Sequence, residues 1–325
     1  MSLLHRTVHR FALMASSAAA LSKLLARQGL PAWRCAFGYG SGVVAQANAG
    51  GAQPMVDAIL CVDDARAWHA SNLAANASHY SWLGACGAAA VAGVQGGGVY
   101  FNTLVPVAGE PGRLMKYGVV SSAALERDLR RWSSLYLAGR LQKPVVWVDA
   151  PDGPLEAALE ANLRAALAAA LLALPETFDE RALFAAIGNL SYAGDVRFLL
   201  GSEDPKKVAN IVAGAGNLER FRALYAGDVA AAAGAGALRV DGDGSFTQPR
   251  DNADWCLSRL PDAARAGVRG GDAKQAVAER LATTVFWSSA AQTAKGLATA
   301  GAAKAAAYAL EKRRKGRKGR RRRRS

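Results

Sequence analysis

Short apolar runs of strand length alternate with longer helical periods through the first half of the chain, and helical periods dominate the second. The run from Met55 to Val62 predicts one strand, and Val99 to Val105 with Leu114 to Val120 predicts a hairpin joined through Gly109-Glu110-Pro111-Gly112. Val145 to Val148 is a further short buried strand after Lys143-Pro144. Between these runs, Asp63 to Trp82 is polar and helix-prone. Ser122 opens a period through Leu125, Leu129, Trp132 and Leu135-Tyr136, which predicts a helix that stops at Gly139.

From Pro154 onward the spacing becomes helical. Leu155 to Leu174 predicts a long alanine-rich helix ended by Pro175, and Asp179 to Leu190 a second, capped by Thr177 or Asp179. Lys206 to Val212 and Leu218 to Tyr225 continue the series. Ala230 to Gly236 is low-complexity and reads as a linker or surface insertion, followed by a small β excursion over Leu238 to Pro249. Two more helices are expected near Asp272 to Thr284 and Ser288 to Leu310, the last running into a basic tail expected to be disordered.

The 325 residues carry a formal charge of +14, which suggests nucleic acid or an acidic membrane until the position of the charge is considered. Eleven of the 40 Lys and Arg fall between Lys312 and Arg324, and five more precede residue 35. That leaves 24 bases against 26 acids in the body, so no basic nucleic-acid groove is indicated there. Asp57 is the first acid of the chain. The acid-free, Arg- and Ser-containing stretch before residue 35 has the composition of an organelle transit leader, and an ordinary first helix would read the same way. Cys35, Cys61, Cys86 and Cys256 show no Cys-x-x-Cys spacing, so neither zinc nor a disulfide framework is suggested. No apolar stretch is long enough for a membrane span.

The chemistry concentrates around Phe37-Gly38-Tyr39-Gly40-Ser41-Gly42-Val43. Alternate glycines allow a sharp turn with uncovered N–H groups, and a helix opening at Val43 would aim its N-terminus at a phosphate, with the Ser41 hydroxyl beside it. Neither a P-loop nor a Rossmann fingerprint fits this spacing. Asp57, heading the next strand, could hold Mg²⁺ against the same phosphate, the layout of a nucleotidyltransferase. Lys116, inside an apolar strand, either edges the sheet or reaches phosphate oxygens. His69, Asn72 and Asn76 share a helical face that either aims at a substrate or is simply solvated; Tyr80 follows them. Asp195 and Arg197 form either a surface ion pair or part of a site.

Together these motifs resemble the mitochondrial CDP-diacylglycerol synthases, the peripheral phosphatidate cytidylyltransferases. The matching residues are Phe37 to Val43, Asp57, Val62-Asp63-Asp64, Trp68-His69, Asn72, Asn76, His79-Tyr80-Ser81 and Gly98 to Asn102. They continue through Lys116-Tyr117-Gly118, Asp128-Leu129, Trp132, Leu135-Tyr136, Ala138-Gly-Arg-Leu-Gln-Lys-Pro144, Leu190 to Asp195, Lys207-Val208, Asn210 to Val212, and Gln292 with Lys295-Gly296 and Thr299-Ala300-Gly301. The resemblance implies an α/β (α+β) chain: a leader over 1–34 and a mixed-sheet nucleotidyltransferase domain over 35–150. A helical winged-helix-like domain would follow over 151–228, then a C-terminal membrane-contacting helical region over 229–311 and the basic tail over 312–325.

The implied reaction joins CTP and phosphatidate to give CDP-diacylglycerol and diphosphate, feeding cardiolipin synthesis at the matrix side of the inner mitochondrial membrane. Gly40, Ser41, Gly42, His69 and Tyr80 would contact CTP; Asp57 and Ser41 would hold Mg²⁺; Asp57, Lys116 and Asp195 would be catalytic. One departure stands out: Ile59 occupies the place of the superfamily's second metal carboxylate, leaving Asp63, Asp64, Asp128 or Asp195 to supply it. The rival readings are nucleotidyl transfer to an RNA end or protein hydroxyl, and a non-catalytic assembly factor for membrane translocases.

Overall fold

The computed structural model describes residues 15–44, 54–268 and 273–296. A five-stranded mixed sheet with order β3-β4-β2-β1-β5 organises the first half. Its strands are β1 (Cys35–Tyr39), β2 (Val56–Val62), β3 (Tyr100–Pro106), β4 (Leu114–Ser121) and β5 (Val146–Asp149). β2 runs parallel to β4, and every other pairing is antiparallel. The expected strands thus all form, with ends shifted by a residue. Cys35 stands opposite Cys61 across β1 and β2, a pairing invisible in their sequence separation, and both are free thiols.

Because strand side chains alternate, the register sorts the sheet into two faces. Phe37, Tyr39, Ile59, Cys61 and Val120 join one core; Ala36, Ala58, Leu60, Tyr117 and Val119 join another. Helix Ala15–Ala26 lies on the second face and buries Leu21, Leu24 and Leu25 there. Each such leucine stabilises the fold by on the order of 2 kcal/mol. The expected leader boundary at residue 34 is therefore corrected: residues 15–34 belong to the folded domain, and residues 1–14 lie outside the described residues. Gly38 makes this packing possible, since a Cβ there would stand 2.5 Å from Leu21.

The helix expected to run from Ser122 to Gly139 ends at Arg131. Trp132 turns into the left-handed region and Leu135 follows, two non-glycine residues with positive φ. Their cost is offset by Asp128, whose buried carboxylate accepts the backbone N–H groups of Ser134, Leu135, Leu137 and Ala138 and the hydroxyls of Ser133 and Ser134. This knotted loop sets the short helix Ala138–Leu141.

Helix Gly153–Ala173 begins the second half, and helices Glu180–Asn189, Val196–Leu199, Lys207–Val212 and Asn217–Gly234 follow. A small antiparallel sheet, β6 (Thr177–Phe178), β8 (Phe246–Thr247) and β7 (Arg239–Val240) in that order, accompanies these helices. The alanine run near residue 230 is helical rather than a linker, as the highest helix propensity dictates, and it buries Ala232. After Ala253–Leu257 and Asp262–Arg265, one helix covers 273–296, where two had been expected.

The two halves share a core. One apolar cluster runs from Phe37 and Ile59 through Leu163 to Phe184, Phe221 and Leu281. Asn162 pins the seam: it accepts from Trp132 Nε1 and Gln142 Nε2 and donates to the Ala138 carbonyl. The 273–296 helix spans both halves, its Ser289 hydroxyl accepting from Val196 N while Lys295 Nζ donates to the Gln95 carbonyl. Among the described residues no helix is long and apolar enough to cross a membrane.

Candidate active site

The glycine turn closes directly beside the strand carboxylate. Gly40 has φ +74°, and a Cβ placed on it would lie 3.2 Å from Asp57 Oδ2. Val43 N and Val44 N both bond back to the Gly40 carbonyl, so the chain doubles over Ser41 and Gly42. Gly42 has a different reason for being glycine: a Cβ there would meet the Met55 carbonyl oxygen at 2.2 Å. The helix expected from Val43 to Ala47 runs into residues 45–53, outside the described residues.

Asp57 is flanked on both sides by register partners, Tyr39 on β1 and Lys116 on β4. Lys116 Nζ lies 4.1 Å over the Phe101 ring. Phe101 in turn crosses β4 at Gly118, where any side chain would collide with it. Arg140, carried by the Ala138–Leu141 helix, stacks on Tyr39 with Cζ 3.8 Å from the ring centre and faces Tyr136 at 5.3 Å. Burial pushes the Tyr39 hydroxyl's pKa up, against the pull of Arg140 and Lys116. Sequence reasoning gave no role to Arg140 or Tyr39. Gly139 was the available signal, because it lets the Ser191 segment approach so closely that a Cβ would stand 2.1 Å from Ser191 Cβ.

Lys143 follows one turn later, buried, donating to the Gly139 carbonyl and, at 2.8 Å, to Ser191 Oγ. Burial first, and then Arg140, lowers its pKa from 10.5 to about 7. Asp195 is buried as well. It caps the next short helix through Arg197 N and grips the Arg197 guanidinium, which also pairs with Glu203 at 3.3 Å. Both of its oxygens are thus engaged with Arg197.

His69 and Tyr80 are not brought together with Asp57. They lie on the Tyr117 side of the sheet, in a closed network of buried groups. Gln95 Oε1 accepts from His69 Nε2 at 2.7 Å, and His69 Nδ1 then receives the Tyr80 hydroxyl at 2.8 Å. Asn72 Nδ2 donates to both Tyr80 and Tyr117, whose hydroxyl meets His79 Nδ1 at 2.9 Å. Burial lowers the pKa of both histidines, so they are neutral struts under the sheet.

The four acids considered as a second metal ligand all have other partners. Asp63 pairs with Arg34 and Ser122, Asp64 caps helix Ala65–Asn76, Asp128 ties the 133–138 loop, and Asp195 holds Arg197. No group of three His, Cys, Asp or Glu side chains suited to a metal occurs among the described residues. Asp57 is the carboxylate that the glycine turn abuts, and Ser41 is the next residue of that turn after Gly40. One carboxylate suits Mg²⁺, which commonly takes one or two carboxylates and fills its remaining positions with water and substrate phosphates.

The family model described as mitochondrial phosphatidate cytidylyltransferase matches residues 21–268 and 256–315. Curated relatives of that name include one from Danio rerio, 39% identical over 308 residues covering 85% of this chain and 88% of the relative. The Mus musculus relative is 39% identical over 304 residues, with 85% and 88% covered, and that of Drosophila melanogaster 38% over 319, with 85% and 92%. The chain belongs to the mitochondrial phosphatidate cytidylyltransferase family. Within a phosphatidate cytidylyltransferase fold, the Gly40 turn, Asp57, Lys116 and the Arg140 helix face one another where the two halves meet.

Proposed function

We propose that this chain transfers the cytidylyl group of CTP to the phosphate of phosphatidate. A phosphatidate oxygen attacks the α-phosphorus, the bond to the β-phosphate oxygen breaks, and CDP-diacylglycerol and diphosphate leave. The observation that supports the reading is the approach of Gly40 to Asp57: a turn suited to cradle an anion would then lie one contact from a carboxylate suited to a metal.

Such a reaction requires alignment and charge neutralisation more than covalent help. Gly40 and Ser41 would hold the triphosphate, while Lys116, fixed over Phe101, would neutralise a phosphate oxygen. Asp57 and Ser41 would hold Mg²⁺, which when bound supplies Lewis-acid stabilisation of phosphoryl charge. The relatives' names support a mitochondrial setting. We place the enzyme on the matrix side of the inner membrane as a peripheral protein, its phosphatidate drawn from an anionic bilayer and the basic run at 312–324 adding attraction to that surface.

Purified full-length protein incubated with Mg²⁺, phosphatidate vesicles and each nucleoside triphosphate in turn should form a liponucleotide with CTP. Absence of CDP-diacylglycerol, or label appearing on RNA or protein instead, would overturn the reading.

A further inference from the structure

We infer that the Tyr39 hydroxyl and the Arg140 guanidinium form the seat for the acceptor's phosphate monoester, distinct from the turn that cradles the triphosphate. The inference rests on the proposed cytidylyl transfer and adds the second substrate's position.

Two polar groups at this spot lack partners. Tyr39 is only 6% exposed, yet its hydroxyl is buried with no hydrogen-bond partner, and Arg140 Nε is buried and unpartnered too. Native interiors seldom leave such groups unsatisfied, because each costs about the desolvation of a polar group. Here two occur on side chains stacked 3.8 Å apart, and one belongs to a cation. No carboxylate among the described residues is within ion-pair distance of Arg140, whereas neighbouring Arg197 is gripped by both Asp195 and Glu203. The Arg140 guanidinium, half-buried and near the Asp57 charge without a salt bridge to it, has a planar fork that can engage a phosphate in bidentate fashion.

Position separates this seat from the triphosphate cradle. Tyr39 and Lys116 flank Asp57 on opposite strands, and Arg140 covers Tyr39 on the side of the second half of the chain. Tyr136 faces Arg140 there, and Tyr192 also acts on its charge. A phosphate bound at the edge of this stack, by the Arg140 fork and the Tyr39 hydroxyl together, would stand beside Asp57, close to a nucleotide on the Gly40–Ser41 turn, with the Tyr136 ring nearby. The stack on Tyr39 also fixes the guanidinium before substrate arrives, so little side-chain freedom is lost on binding.

The test uses full-length protein and soluble dihexanoyl phosphatidate, which removes membrane docking from the measurement. Tyr39→Phe deletes only an unpartnered hydroxyl, so its apo melting temperature should stay level or rise. Its KM for phosphatidate, and its dissociation constant by calorimetry without CTP, should rise roughly tenfold, with KM for CTP within about twofold of wild type. Arg140→Lys keeps the charge and loses the fork; it should weaken phosphatidate further. A rise in KM for CTP with phosphatidate unchanged would reassign the seat to the nucleotide, and no change in either would make the pair purely structural. If wild-type protein forms no CDP-diacylglycerol, the proposed function falls, while the titration of phosphatidate alone still decides whether Tyr39 and Arg140 bind it.

Discussion

Asp57 and Lys116 are register partners on the parallel strands β2 and β4, so a carboxylate and an ammonium project side by side from one face of the sheet. The Gly40 turn lies against Asp57 as well, so the carboxylate has a lysine as its register partner and a glycine turn in contact with it.

Asp57→Asn should lower kcat by at least about a hundredfold, because the neutral amide keeps the shape and loses the metal-binding charge. Circular dichroism and melting temperature should match wild type. Near-normal turnover would move the metal site elsewhere.

The two turn glycines should fail differently. Gly40→Ala places a methyl 3.2 Å from the Asp57 carboxylate at φ +74°, so CTP affinity should drop severalfold for a stability loss of about 1 kcal/mol. Gly42→Ala drives a methyl into the Met55 carbonyl, so stability should suffer more than in Gly40→Ala. Urea midpoints and CTP titrations of the two variants would separate these outcomes, and an equally stable pair would refute the distinction.

Asp128→Ala strips the acceptor from four backbone N–H groups in a loop that contains two positive-φ residues. A loss on the order of 3–5 kcal/mol is expected from denaturant melts. An unchanged midpoint would mean that the loop is held by packing alone.

Lys143 links stability to alkaline pH. The unfolded chain keeps this proton up to about 10.5 and the folded chain releases it near 7, so between those values the unfolded state binds more protons and rising pH favours folding. Wild type should gain stability relative to Lys143→Met as pH climbs from 7 to 10. Parallel pH profiles for the two proteins would contradict this.

The strands from Val56 onward and the glycine turn are legible because each depends on short-range pattern, whereas β1, Cys35–Tyr39, is not expected as a strand. That His69 and Tyr80 lie on the other side of the sheet from Asp57 is a matter of parity. Their helical face was legible, and Asn72 and Asn76 do bond along it at 2.9 Å, but which side of the sheet that face covers depends on strand register. Helix Ala15–Ala26 reads as leader in the sequence because composition is the same for a transit segment and for a helix that buries three leucines. Arg140 is legible in sequence only as one letter of a matching motif, since its stack on Tyr39 is a property of three-dimensional surroundings.

Asn162 lies within the long helix of the second half, yet its amide binds Trp132, Ala138 and Gln142 of the first. The seam near residue 150 therefore divides the chain without dividing its cooperativity. Cut there, residues 15–150 would present a raw apolar face and lack the strut beneath the Arg140 helix, so neither piece alone would hold a working geometry. Co-expressed, the two pieces should behave as complementing fragments, regaining a single melting transition only when each supplies the other's missing wall.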